Sequence, residues 1–192
     1  MKSLNLIFTL LSLIFIGNSL CAKEFNYKLD PSHSHVSWQA SHFNFSMQSG
    51  KFSFVEGDLF FDEKKPAKSR VLANIKIANV ETGDKKFNEH LLSKDFFDVK
   101  NFSLAKFKSN KIKITGKNTG KIYGDLTLLG KSKKVVLNAK FNKIGINPIT
   151  KKRTVGFSAS TTIKRSDFGM KTYLPGISDK VKINIEVEAA AI

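Results

Sequence analysis

An all-β chain with one short helix, folded as an antiparallel barrel or sandwich, is predicted from three observations. Segment after segment alternates apolar with polar residues, the period of two that sends successive strand side chains to opposite faces. Turn residues punctuate those segments at short spacing. Only the stretch from Glu81 to Leu92 leaves this pattern: Phe87 and Leu91 recur at helical spacing, with Thr82 or Asp84 available as N-cap.

The hairpin around Gly130 shows the pattern best. Ile122, Gly124, Leu126 and Leu128 share one parity, and Tyr123, Asp125, Thr127 and Leu129 the other. Gly130-Lys131-Ser132 is turn chemistry. Val135, Leu137, Ala139 and Phe141 then alternate with Lys134, Asn138 and Lys140, so one face of the hairpin is dry.

Upstream, Phe25 to Leu29 opens the fold and Asp30-Pro31-Ser32 breaks it. Val36, Trp38 and Ala40 form the inner parity of the next strand. Phe43, Phe45 and Met47 switch parity, which predicts a bend near His42. Gly50 is expected to turn the chain and Gly57 to interrupt it, with Phe52, Phe54, Leu59 and Phe61 inward. Val71 to Ile77 is the next strand. Beyond the helix come strands at Leu104 to Lys108, Lys111 to Thr115, Lys121 to Leu129 and Lys134 to Phe141. A long loop is expected from Ile144 to Arg153, then strands near Val155 to Ile163 and Val181 to Ala189, separated by a loop from Ser166 to Ser178.

Residues 1–22 read as a secretory signal peptide and 23–192 as one barrel domain. Lys2 gives a positive start, Leu6 to Ile16 is rich in Leu, Ile and Phe, and Ser19-Leu20-Cys21-Ala22 offers small residues for cleavage. The expected location is periplasmic or secreted. Cys21 is the single cysteine, so a mature chain cut after it has no disulfide and depends on its core. The formal charge of +16 draws such a protein toward anionic surfaces such as lipid head groups. Its lysines are dispersed singly between apolar residues, as in Lys111-Ile112-Lys113-Ile114, which writes the wet face of a sheet and not a nucleic-acid track. Lysines on the outward faces also argue against a barrel seated in an outer membrane.

A barrel of about eight strands is either filled by its own side chains or hollow enough for a ligand. The 17 phenylalanines suit both readings. They leave open a basic exported adhesin or stress protein with a filled barrel.

Several segments, in order, resemble the YceI-like family of polyisoprenoid-binding proteins. They are Asp30-x-x-His33-Ser34-x-Val36-x-Trp38 with His42, Gly50-x-Phe52, Gly57-x-Leu59-x-Phe61, and His90-Leu91-x-Ser93-x-Asp95-Phe96-Phe97. Phe107-x-Ser109, Gly124-Asp125-Leu126-Thr127-Leu128-x-Gly130-x-x-Lys133 and Ile163-Lys164-Arg165-Ser166-Asp167-Phe168-Gly169 complete the set, with Asp179-x-Val181-x-Ile183 after it. The resemblance implies an extended antiparallel lipocalin-like β-barrel, periplasmic or secreted, with a long apolar tunnel for an isoprenoid or fatty amphiphile, often as a homodimer. Phe87 stands where the family often has Arg, so no polar role carries over there.

On this reading the protein is a binder and not an enzyme. It takes an isoprenoid lipid, an isoprenoid quinone or a fatty acid or amide for transport, storage or sequestration, and needs no cofactor. Val36, Trp38, Phe52, Phe54, Phe61, Ile75, Phe96 and Phe107 are the expected lining. His33, His42, His90, Arg165 and Asp167 are candidates for head-group contact or for structural polar roles, Arg165 with Asp167 as an ion pair. His33, His35 and His42 form no evident metal set without a carboxylate or cysteine to complete it, so no metal is expected. Ser34 lies in no Gly-x-Ser-x-Gly elbow and is not expected to be a nucleophile.

Overall fold

The computed structural model describes residues 26–192; the expected signal peptide and Cys21 lie outside the described residues. The strands are β1 (Tyr27–Leu29), β2 (His35–His42), β3 (Ser46–Ser53), β4 (Val55–Phe60), β5 (Arg70–Lys76), β6 (Val80–Glu81), β7 (Leu104–Gly116), β8 (Thr119–Leu128), β9 (Lys131–Ile146), β10 (Arg153–Lys164) and β11 (Lys180–Ala191). The helix α1 (Lys85–Leu92) lies between β6 and β7. Strands β1, β4, β5, β7, β8, β9, β10 and β11 pair in that order, and β11 pairs β1, so an eight-stranded antiparallel barrel closes. Closure removes the unpaired edges that an open sheet would expose.

Three of the eight staves are interrupted strands. β1 and β2 lie end to end along β11, β3 and β4 share one line, and β5 continues into β6 through the 3-10 turn Ile77–Asn79. The first break is made by Asp30-Pro31-Ser32, where the Asp30 carboxylate accepts from the Ser32 N–H at 2.9 Å. The second is Phe54, whose φ of 69° is left-handed and shifts the strand's parity by one. The two ends of the barrel differ. At the helix end lie α1, the β2–β3 turn and the 165–179 connection; at the far end lie the 61–69 turn, the β7–β8 turn and the 147–152 loop.

Helix α1 starts at Asp84, whose carboxylate accepts from the Lys86 and Phe87 N–H groups at 2.8 and 3.2 Å. Such a cap is worth about 1 kcal/mol. Leu91 is buried, and the following turn folds Phe96 and Phe97 back, with Phe97 N–H donating to the Leu91 carbonyl. At the β8–β9 hairpin Leu129 and Gly130 both take left-handed backbone, the two-residue geometry whose twist matches the strands.

Several sequence expectations are corrected. Gly50 does not turn the chain; it sits inside β3 opposite Trp38, and a side chain there would meet the indole at 2.8 Å. Gly57 sits within β4, paired with Ala73. The two strands expected at Leu104 to Lys108 and Lys111 to Thr115 are one, Leu104–Gly116, with a bulge between Ser109 and Lys111. β9 runs on to Ile146, which shortens the expected loop to 147–152. The bend expected near His42, by contrast, is present: Phe43 and Asn44 turn the chain with φ of 49° and 61°, Phe43 reaches the cavity rim and Phe45 is left 90% exposed.

Candidate functional site: an apolar tunnel

The inward parities of the strands do not meet at the axis. They line an apolar cavity of about 830 Å³, within the range of about 300–1,000 Å³ usual for small-molecule sites. Its lining runs from His42, Phe43 and Tyr173 at the helix end to Glu63, Lys117 and Thr119 at the far end. All of these six but none of the buried core between them are exposed or at the rim, so the cavity is a tunnel along the barrel. A filled barrel is therefore not what this sequence makes.

The room comes from small side chains in register. Gly120 on β8 pairs Ala139 on β9, and Ala139 pairs Ala159 on β10; all three line the tunnel. Three neighbouring staves thus send almost nothing into the lumen at one level. Larger residues shape the rest. Phe61, Phe141 and Phe157 form a ring cluster with centroids 5.4–6.0 Å apart. Trp38, Phe52, Phe87, Phe96 and Phe97 narrow the helix end, with Phe52 edge-on to Phe97 at 5.2 Å.

Of the residues expected to line the lumen, Val36, Trp38, Phe52, Phe61, Ile75, Phe96 and Phe107 do. Phe54 does not. Its left-handed kink turns the ring outward to 41% exposure, Lys76 Nζ sits 4.9 Å from its centroid, and Val55 is buried instead.

The polar candidates separate. His42 and His90 are at the rim of the tunnel; His90 packs edge-on to Phe96 at 5.1 Å and Tyr173 at 6.0 Å. His33 is outside the barrel, where its Nδ1 is 2.8 Å from the Asp30 carboxylate. That hydrogen bond, with the charges of Asp30 and Glu188, holds the His33 pKa above 6.5. Burial opposes ionisation of Asp30, but hydrogen bonds from His33 and the Ser32 N–H outweigh it and lower the carboxyl below 3.8. Asp30, His33 and Glu188 bring donor atoms within 4.8 Å of one another. The geometry is that of an ion pair with a nearby carboxylate. His42 is about 23 Å along β2 from His35 at strand rise, so the three histidines do not converge. Ser34 is buried and exchanges two 3.2 Å hydrogen bonds with the Glu188 backbone, away from the lumen.

Arg165 lines the tunnel, yet it is 3% exposed. Its guanidinium donates to the carbonyls of Ser178, Met170 and Ile177 at 3.0, 3.1 and 2.9 Å. The expected pairing with Asp167 does not form: Asp167 is exposed and is not part of the lumen wall, whereas Asp179 accepts from Ser166 N–H and Oγ–H at 2.9 Å. A carboxylate two residues along a 3-10 turn (Arg165–Phe168) cannot curl back to its own guanidinium while that group spans the loop. Burial pushes the Arg165 pKa down, and Asp179 opposes the shift.

A closed antiparallel barrel whose lumen is an apolar tunnel defines a protein that binds apolar ligands. The chain belongs to the YceI-like family: the YceI-like domain matches residues 27–189. A UPF0312 protein of Pseudomonas putida strain W619 is 36% identical over 180 residues, spanning 92% of this chain and 91% of the relative. One from Photorhabdus laumondii is 36% identical over 173 residues, 89% of each. The Burkholderia cenocepacia BcnA crystal structure superposes with a TM-score of 0.74 at 27% identity, covering 83% of this chain and 98% of that one. A polyisoprenoid binding domain from Saccharophagus degradans, at 14% identity and TM-score 0.69, covers 88% of this chain and 100% of that one and shares the fold.

Proposed function

We propose that this protein binds one long-chain isoprenoid amphiphile, a quinone or a related lipid, and carries or sequesters it outside the cytoplasm. The single observation behind this reading is the apolar tunnel of about 830 Å³ running between the two ends of the barrel. The name of the Saccharophagus domain, a polyisoprenoid binder, points to the same ligand class. Burying about ten methylene groups is worth roughly 8 kcal/mol gross. That corresponds to about micromolar affinity before ordering costs. A longer tail threads further and binds more tightly. The contacts fall on Val36, Trp38, Phe52, Phe61, Ile75, Phe96 and Phe107.

Binding is the reading these residues support: Ser34 hydrogen-bonds the Glu188 backbone, Asp167 is exposed, and the rim histidines His42 and His90 sit among aromatic rings. Location outside the cytoplasm rests on residues 1–22. Native mass spectrometry of the mature chain tests the proposal and counts subunits together. A bound mass matching an isoprenoid lipid is expected. Repeated absence of any lipid, with no uptake of added long-chain quinone, refutes it.

A further inference from the structure

The far end of the barrel carries a feature that ligand binding in the lumen does not use. The 147–152 loop is held in one shape. Asn147 Oδ1 accepts from the Ile149 and Thr150 N–H groups at 2.9 and 3.1 Å, and Asn147 N–H donates to the Lys152 carbonyl at 2.8 Å. This fixed tip presents Ile149 to solvent at 87% exposure, with Ile146 also exposed beside it at the strand end. Paired on one preformed tip and rimmed by polar residues, they are suited to being covered by an apolar partner.

The surrounding charge says what. Lys143, Lys151 and Lys152 flank the two isoleucines in sequence. The ion pair of Arg153 with Glu63, two contacts of 2.8 Å, ties the loop to the 61–69 turn and brings Lys64 and Lys65 to the same end. The Phe141 N–H donates to the Asn118 carbonyl, which brings in Lys117. The nearby carboxylates are engaged: Glu63 holds Arg153, and Asp62 caps its own turn at Lys64 and Lys65 N–H. Among the described residues none of these six lysines has a carboxylate partner. An apolar tip ringed by uncompensated cations is complementary to the head-group boundary of an anionic bilayer, where buried apolar area and charge attraction add. At the opposite end the β2–β3 tip, Phe43 to Gly50, is also apolar, but no charged residue lies within it, whereas Lys151 and Lys152 adjoin Ile149 directly.

We propose that the far end of the barrel docks on anionic lipid bilayers, with Ile149 and Ile146 in the interface and the lysines on the head groups. The docking concerns the outer surface and stands whether or not the lumen holds a lipid. Tunnel residues Lys117 and Thr119 lie at this end, so a docked barrel faces the bilayer with one mouth.

The test is co-sedimentation of the mature protein with vesicles of phosphatidylcholine alone and of phosphatidylcholine with about one-third phosphatidylglycerol. Binding is expected only to the anionic vesicles and is expected to weaken with added salt. Replacing Lys151 and Lys152 by Ser weakens it by about fivefold per lysine. The double variant Ile146→Ser, Ile149→Ser weakens it at least tenfold with an unchanged unfolding midpoint, because both side chains are exposed in the folded chain. Phe45→Ser at the opposite tip leaves it unchanged. Equal binding to neutral vesicles, full binding by the isoleucine variant, or loss of binding only in Phe45→Ser overturns the proposal. So does binding to single-stranded RNA without binding to either vesicle.

Discussion

Trp38 meets Phe87 edge-on, ring centroids 6.2 Å apart at 76°, and the pair narrows the tunnel where α1 crosses the barrel. The indole lies over Gly50, the position that must lack a side chain for it to fit. Its Nε1–H is buried with no hydrogen-bond partner among the described residues. Trp38 is the single tryptophan of the chain, so its emission reports on the lumen alone. Titration with a long-chain quinone is expected to quench that emission and to saturate at one ligand per chain. Trp38→Phe removes the signal and keeps binding by mass spectrometry. Unaltered emission at saturating quinone would place the ligand elsewhere.

Arg165 is a clamp on the 165–179 connection. Three carbonyls from two turns of that loop accept from one guanidinium, which is 3% exposed. Arg165→Met leaves those acceptors unpaired, and breaking a buried charged hydrogen-bond network costs about 3–5 kcal/mol. Thermal unfolding is expected to show that loss. Arg165→Lys recovers less than half, because a single ammonium cannot span three fixed acceptors. A lysine variant as stable as the parent would show that only the charge matters.

The barrel was legible because period-two alternation is a strong signal wherever one face is dry, and Val181 to Ala189 carries it without interruption, Val135 to Phe141 with only Val136 out of step. The lumen lining was legible for the same reason, save where the backbone departs from the period. Phe54 is the instructive miss: a left-handed φ moves every later side chain of the strand to the other face, and no composition marks it. Alternation also says which residues face inward but not whether they fill the space. The hollow at Gly120, Ala139 and Ala159 depends on the pairing register of three strands, a long-range property. Arg165 was legible as a candidate, but its partners are carbonyls, which carry no sequence identity.

The Asp30 and His33 pair predicts a bell of local stability across pH. His33 gains its partner on folding and has a raised pKa, so its contribution is full below pH 6.5 and is lost as pH rises through the folded value. Asp30 has a lowered pKa, so its contribution is full above pH 3.8 and is lost as pH falls through the folded value. The β1–β2 break is therefore tightest between these limits. A His33 ring titration by NMR is expected to have its midpoint above 6.5, and Asp30→Asn is expected to return it toward 6.5. An unmoved midpoint in that variant would mean that Glu188 dominates instead.

Plugging the tunnel separates lumen from surface. Ala139 and Ala159 pair across β9 and β10, and both line the tunnel. Ala139→Leu with Ala159→Leu adds about six carbon groups to space that no side chain occupies. Overpacking a dense core costs about 1–3 kcal/mol, but here the added groups enter a lumen and leave water, a gain of about 0.8 kcal/mol each at best. The unfolding midpoint is expected to hold or rise. Lipid recovered from the purified variant is expected to fall at least tenfold, while binding to anionic vesicles, set by Ile149 and the far-end lysines, is unchanged. A variant that is stable and still carries its lipid in full would show that the ligand does not pass the Gly120–Ala139–Ala159 level, and the tunnel reading of the fold would fail with it.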